Sequence, residues 1–357
     1  MMTVNKSTAQ PASDAPLKIA IVGVVHGHVH GFLRDAMQRS DIEVVGVYDA
    51  DAALVKKYGD LYNVPTNLRY TNLEKLLEEG KPAALTLFTN TFDHTEIVEM
   101  AAPLGIHVMM EKPLAVSMDH ANRMYKAAKA GGIHVLVNYE TTWYASNAHA
   151  YQMVEAGALG TLRKIVVHDG HFGPKEIGVD KEFLDWLVDP VLNGGGALTD
   201  FGCYGANLMT WLLKGEMPES VMAVTQQLKS DPVYSKVDDE TNILVTYAGA
   251  QGIIQASWNW PYHRKDMEVY GDAGMAIALN SKAMQVAPLD SPREDVVAAP
   301  LTGAEADPLS YLKAVVDESI VPAPHDLSAL ENNIMVTRIL DAARESAATG
   351  KRVYLTK

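Results

Sequence analysis

The sequence predicts two units of different class. Residues 17–140 read as an α/β doubly wound parallel sheet, and residues 141–357 as an α+β unit on an open, mostly antiparallel sheet. Three observations carry this. Continuous apolar runs of strand length alternate with amphipathic helical runs as far as residue 138, the pattern of strands buried on both faces. After residue 140 the chain turns to strands joined by turn signals. Hydrophobic residues make up 48% of the 357 and charged residues 21%, which suits a soluble chain with more than one core.

The elements follow in order. "LKIAIVG" (17–23) is the first strand, and "VHGFLRDAMQRS" (29–40) is the helix after it. "IEVVGVYD" (42–49) is the second strand, and "TNLEKLLEEG" (71–80) is helical. Strand "AALTLFT" (83–89), helix "DHTEIVEMAAPLG" (93–105), strand "IHVMME" (106–111), helix "SMDHANRMYKAAKAGG" (117–132) and strand "IHVLVN" (133–138) complete the alternation. Ligands of such a sheet lie at the carboxyl ends of its strands. The second unit begins with helix "NAHAYQMVEAGALG" (147–160) and strand "LRKIVVHDGHF" (162–172). "VMAVTQQLK", "TNILVTYAGAQGIIQASW", "DMEVYGDAGMAIALN" and "AMQVAPL" are later strands, with hairpin turns at "YAGAQG" and "YGDAG". "SALENNIMVTRILDAARESAATG" (328–350) is a long amphipathic helix ending at Gly350.

Composition narrows the partners. Lys and Arg number 30 against 44 Asp and Glu, a net charge of −14, so no nucleic acid is expected. The one cysteine, Cys203, excludes an intramolecular disulfide and a cysteine-based metal cluster. No apolar segment reaches the roughly 20 residues of a membrane helix. Residues 1–16 are small and polar with no secretory apolar run, and are expected to be a flexible tail of a cytoplasmic protein.

The turn after the first strand carries the first chemistry. "GVVHGHVH" keeps Gly23 and Gly27, but Val25 and His28 stand where a G-x-G-x-x-G phosphate loop has its later glycines. Asp49 ends the second strand. A carboxylate there accepts from the ribose hydroxyls of NAD and repels the 2′-phosphate of NADP; the alternative is a helix N-cap, a role Asp51 could also fill. His26 and His28 form an H-x-H pair, which also fits a metal-dependent hydrolase with a (β/α)₈ barrel and further ligands such as His94. No metal is assigned. His26 and His28 would instead line the cofactor groove.

Two motifs are more specific. "MEKP" (110–113) ends a strand, and "GGGALTDFGCYGANLMTWLL" (194–213) follows some way on. With "VYGDAG" and "SAATGKRVYL" in the same order, the chain resembles the Gfo/Idh/MocA family of oxidoreductases. The resemblance implies a Rossmann unit, then an open sheet that mediates homodimers or homotetramers. It implies a substrate held between them over the nicotinamide of NAD. Glu111 and Lys112 match E-K-P, and the Lys112–Pro113 peptide is expected to be constrained, with a cis form open to it. Lys112 would hydrogen-bond the substrate hydroxyl. Asp200 would bind substrate or orient the acid/base group. Tyr204 stands where most members carry His, as in members similar to glucose–fructose oxidoreductase and dimeric dihydrodiol dehydrogenase. It would act as acid/base if Lys112 lowers its pKa, or else only pack and hydrogen-bond. Thr89, Asn90 and His94 fall in the segment that borders the nicotinamide, with Asn90 in place of the family proline. His30 matches a histidine found after the glycines. His168, His171, Trp186, Asn207, Trp258 and Arg264 are candidates to face substrate, each with a structural alternative. The implied activity is NAD(H)-dependent hydride transfer at a secondary carbinol of a sugar, polyol or related compound. A non-catalytic NAD or sugar sensor on the same fold is the other reading.

Overall fold

A computed structural model describes residues 15–355. Of the tail expected at 1–16, residues 1–14 lie outside the described residues. The first sheet holds β1 (Leu17–Val22), β2 (Ile42–Tyr48), β3 (Arg69–Tyr70), β4 (Ala84–Leu87), β5 (His107–Glu111) and β6 (Val135–Asn138). All pairings are parallel, in the spatial order β3-β2-β1-β4-β5-β6. Five strands were expected; the two-residue β3 is too short to show as an apolar run. Between strands run α1 (Val29–Gln38), α2 (Ala52–Leu61), α3 (Leu73–Gly80), α4 (His94–Ala101) and α5 (Met118–Gly131). Side chains cap three of them: Asp51 accepts from Ala53 N, Asn72 from Lys75 N and Ser117 from His120 N. The order reverses between β1 and β4, so their carboxyl ends open the crevice that such sheets use for ligands.

The chain continues through α6 (Ala145–Glu155), β7 (Leu162–Gly170), α7 (Lys181–Leu187), α8 (Ala197–Asp200) and α9 (Gly202–Leu212). Next come β8 (Ser220–Gln226), β9 (Glu240–Thr246), β10 (Gln251–Ser257), β11 (Arg264–Gly271), β12 (Gly274–Ala278), β13 (Ala283–Pro288) and β14 (Glu294–Val297). It ends in α10 (Pro308–Val316), α11 (Leu330–Thr349) and β15 (Val353–Tyr354). Nine strands form the second sheet, in the order β14-β13-β12-β11-β7-β10-β9-β8-β15. It is antiparallel except where β10 pairs with β7. Both expected hairpins form, β9 with β10 and β11 with β12. The last helix stops where Gly350 takes a left-handed φ of 67°.

Two packings position the site. Every residue of α9 is buried, as a helix enclosed on all sides must be. It lies against β7, β10 and α11. A Cβ on Gly205 would stand 2.6 Å from the Ile254 side chain, so glycine lets α9 approach β10. Far along the chain, α10 returns to the first sheet, where Leu309, Leu312 and Val315 join Ile19, Met109 and Leu136 in one apolar cluster.

The turn into α8 is equally close. A Cβ on Gly196 would meet the Asp238 carbonyl oxygen at 1.9 Å. The Asp238 carboxylate accepts from Gly196 N at 2.9 Å and Leu198 N at 2.6 Å. Gly196→Ala is therefore expected to cost about 1–3 kcal/mol through overpacking. Urea denaturation measures it, and a variant as stable as wild type would contradict this packing.

Candidate active site

The Lys112–Pro113 peptide that follows β5 is cis. From there Lys112 projects into the interior, where its ammonium pairs with Asp200 Oδ1 and donates to the Asp200 carbonyl at 3.1 Å. Asp200, at the end of α8, also accepts from Trp258 Nε1 at 3.0 Å. Both charges are buried. Burial disfavours the Lys112 ammonium, but the Asp200 carboxylate overcomes it, and the pKa lies above the ordinary lysine value. For Asp200 the balance mirrors this: burial raises its pKa, Lys112 lowers it further, and the group stays ionised.

Tyr204, in the first turn of α9, lies between two ammonium groups. Lys112 Nζ is 5.3 Å from its ring centre and Lys265 Nζ is 4.5 Å away. Lys265 Nζ also stands 3.4 Å from the phenol oxygen and 2.6 Å from Glu140 Oε2. The expected lowering of the phenol by Lys112 does not occur. Burial, then Asp169 and Glu140, push Tyr204 well above its ordinary value, so at neutral pH it is a hydrogen-bond donor.

One cavity of about 970 Å³ gathers His26, Gly27, His28, His30, Lys112, His171, Asp200, Tyr204 and Arg264 of the residues singled out in the sequence. Burial holds His171 neutral, with a pKa of about 4. Arg264 pairs with Asp266. Four expected substrate contacts do not line the cavity. His168 is engaged by Asp266 at 2.9 Å and by Arg264 at 3.1 Å. Asn207 Nδ2 donates to the Leu327 carbonyl at 2.8 Å and Asn332 Oδ1 at 3.1 Å, tying α9 to the start of α11. Trp186 donates to the Val25 carbonyl at 3.3 Å. Trp258 instead supports Asp200.

The three histidines of the glycine loop have three different partners. His26 is buried against Phe183, with ring centres 4.6 Å apart, and its Nδ1 accepts from His28 N. His28 Nδ1 is 2.9 Å from Glu111 Oε2, whose other oxygen accepts from Asn138 at 2.8 Å. His30 binds Tyr62 and Asp180, each at 2.6 Å. His26, His28 and Glu111 bring ligand-type atoms within 4.8 Å of one another. The hydrolase reading also requires a closed (β/α)₈ barrel, and this sheet is open with six strands.

The glycine loop borders open space: Gly27 and His28 line both the main cavity and a neighbouring one of about 690 Å³. Lys112 lines the main cavity, and Glu111 and Asn138 line the neighbouring one. Gly23 is required: its φ is 80° and a Cβ would stand 2.4 Å from Thr89. Gly27 has no left-handed φ; its missing side chain instead makes room for Phe183 of α7, whose ring a Cβ would meet at 3.2 Å. Glu182 and Asp180 anchor α7 to Lys57, Tyr58 and His30. Phe183 thus packs against Gly27 at the wall of the main cavity. Asp49 is also engaged, accepting from Val24 N at 3.0 Å and Asp51 N at 2.9 Å, while Asp51 caps α2. Thr89 donates to the Asn90 carbonyl, and Asn90 accepts from Asp93 N at the start of α4. His94 is buried and donates from Nδ1 to the Leu114 carbonyl at 3.2 Å.

Lys265, Glu140 and Asp169 are the groups that sequence reasoning missed. For Lys265 and Asp169 the signal was adjacency, since Arg264 and His168, each one residue away, were noticed instead; Glu140 had no such signal.

An open parallel sheet in this strand order, with a buried lysine–aspartate pair and a tyrosine facing a cavity beside a second sheet, defines a two-domain protein of the dinucleotide-binding oxidoreductase class. Residues 17–139 match the oxidoreductase family with the NAD-binding Rossmann fold, and residues 147–277 match the GFO/IDH/MocA C-terminal domain. The chain belongs to the Gfo/Idh/MocA family. The trans-1,2-dihydrobenzene-1,2-diol dehydrogenase of Macaca fascicularis is 24% identical over 231 residues, covering 65% of this chain and 64% of that protein's length. The D-xylose 1-dehydrogenase (NADP(+)) 2 of Haloferax volcanii is 24% identical, covering 90% of this chain and 94% of that one. The aldose-aldose oxidoreductase of Caulobacter crescentus, complexed with glycerol, has a TM-score of 0.80 at 25% identity, covering 95% of this chain and 100% of that one. An inositol dehydrogenase homolog of Azotobacter vinelandii, complexed with NAD+, shares the fold, with a TM-score of 0.81 at 19% identity over 97% of this chain and 99% of that one.

Burial of His26 and His94 makes the fold sensitive to acid. It holds His94 at about 4 and His26 well below the ordinary 6.5. An unfolded chain takes up those protons near 6.5, so unfolding is favoured as pH falls below that value. Stability is expected to decline from about pH 6.5 towards pH 4, less steeply in His94→Gln. Urea titrations at several pH values check this; identical slopes for the two proteins would refute it.

Proposed function

We propose that the protein is an NAD(H)-dependent oxidoreductase that transfers a hydride to or from a secondary hydroxyl carbon of a sugar, polyol or related compound. The observation that carries this is the buried Lys112–Asp200 pair beside Tyr204 at the wall of the cavity. NAD, when bound, supplies the hydride chemistry. The chain's own groups handle the oxygen. Lys112, kept charged by Asp200, donates to the substrate oxygen and stabilises negative charge developing there. Tyr204 is the proton donor when a carbonyl is reduced. Trp258 and the turn at Gly196 fix Asp200, and so fix the ammonium. A non-catalytic sensor would have no use for a desolvated charge at this point.

NAD is favoured over NADP because Asp49 would oppose a 2′-phosphate. The sugar or diol substrates of the named relatives support the substrate class. Copies of the chain would assemble through the second sheet, where Met222 and Val224 of β8 are exposed. Among the described residues no helix is long and apolar enough to cross a membrane.

NADH fluorescence titration tests the cofactor, and a screen of sugars and diols with NAD⁺ tests turnover. Lys112→Ala and Tyr204→Phe are each expected to lower turnover by about 10²–10⁴. Full turnover of Tyr204→Phe in a rate-limiting chemical step would end the acid/base role. Phe183→Ala clears the ring over Gly27 and is expected to tighten NADH binding several-fold. Unchanged affinity would show that α7 does not restrict the groove.

A further inference from the structure

Asp169 has no place in the reaction described so far, and its surroundings are unusual. It is buried, and neither carboxyl oxygen has a hydrogen-bond partner in the protein. Burying such a group unpaired is costly, so its presence needs a reason. Its position supplies one. Asp169 on β7 lies directly across the ladder from Lys265 on β11, so both side chains stand on the same face. A small void of about 10 Å³ shares lining residues with the main cavity. Asp169 lines this void with Thr141 and Asn147, and does not line the main cavity. Tyr204 and Lys265 line both, so they form the wall between them. The void is about the size of one water. The Thr141 hydroxyl on its edge is also unpartnered.

Tyr204 is a phenol at neutral pH, so oxidation of a carbinol leaves it with one proton too many. We propose that Asp169 is the proton acceptor behind Tyr204. As a carbinol is oxidised, its hydroxyl proton passes to the Tyr204 oxygen while the Tyr204 proton passes across the void to an Asp169 oxygen. A water in the void that accepts one proton and gives one up is unchanged. The carbinol C–H bond breaks with its electron pair leaving as hydride to oxidised nicotinamide, so no further oxidant is needed. In reduction the proton returns by the same route. Asp169 acts through Tyr204 and touches no substrate; Lys265 positions the two, donating to the phenol oxygen at 3.4 Å. The role rests on the hydride-transfer reading above.

The charged and titratable groups facing Tyr204 are Lys265 from β11, Asp169 from β7, Glu140 after β6, Lys112 after β5, Asp200 of α8, and Cys203 and Tyr139 beside it. Burial raises Asp169 well above the ordinary carboxylate range, with Lys265 and Lys112 opposing. Its carboxylate, the form that accepts the proton, therefore becomes more populated as pH rises through that shifted value.

Two titrations of the protein without cofactor test the coupling. Infrared difference spectra of wild type should show a carboxylic acid band that persists above the ordinary aspartate range and is absent from Asp169→Asn. Ultraviolet titration should show the tyrosinate transition of Tyr204, assigned with Tyr204→Phe, at lower pH in Asp169→Asn, because a negative neighbour is gone. In turnover, wild-type oxidation should speed up as pH rises through the Asp169 transition. Asp169→Asn should lose that limb and about 10- to 100-fold in rate. Lys265→Met should move the limb to higher pH. An ordinary Asp169 titration, or a Tyr204 transition that Asp169→Asn leaves in place, overturns the relay even if the enzyme turns over. If both titrations behave as expected but no NAD⁺-linked oxidation occurs in any variant, the coupling stands and the hydride-transfer reading fails, and the relay fails with it.

Discussion

The arrangement of the site depends on one buried ion pair. Lys112 follows β5 at the carboxyl end of the first sheet, and Asp200 ends the short helix α8 that precedes α9. Removing two charges from water is costly, and their attraction offsets this only when geometry is tight and the remaining donors and acceptors are satisfied. Those conditions explain the surroundings. Trp258 occupies the free carboxylate oxygen, and the Asp200 carbonyl takes a second bond from the ammonium. Asp238 pins the turn that aims α8. The pair therefore joins the parallel sheet to the second unit at the point where an oxygen of the substrate would need a fixed positive charge.

The second constraint is the packing of α7 against the glycine loop. A phosphate loop with its full set of glycines lets a pyrophosphate lie close to the backbone. Here His26 fills the turn, and Phe183 and Trp186 of α7 close over it. Ion pairs and hydrogen bonds from Asp180 and Glu182 hold α7 to α1 and α2. The family's cofactor groove is thus present in outline, with Gly27, His28 and Lys112 on the main cavity and Phe183 packed against Gly27. The alternate histidines answer to this geometry: one fills, one binds Glu111, and one anchors the cover.

The fold was largely legible because its signals are local. Continuous apolar strands, helical periodicity and turn residues report their own neighbourhood, and they placed five of the six strands of the first sheet. β3 escaped because two residues carry no period. α7 also escaped, since seven residues with Trp and Phe inside a polar segment do not stand out. The motifs E-K-P and G-G-G-x-x-x-D-F-G-x-Y were legible as a family resemblance. Substrate candidates in the second sheet were less so. His168 and Arg264 were noticed, yet their neighbours Asp169 and Lys265 face Tyr204. In a strand successive side chains point to opposite faces, so residues one apart differ in partners: His168 and Arg264 meet Asp266, while Lys265 meets Tyr204.

The sequence by itself determined the two kinds of sheet, the glycine turn at Gly23, and the lysine, aspartate and tyrosine that meet at the cavity. Each follows from backbone sterics, hydrophobic period or a short motif. Only the tertiary structure decided which charges surround Tyr204, that burial with Asp169 and Glu140 holds it protonated, and that α7 packs against the glycine loop. Those outcomes depend on burial and on contacts between residues far apart in the chain, such as Tyr204 with Lys265 or Gly27 with Phe183. A pKa is set by the summed field and desolvation at one place, and no linear pattern encodes that sum.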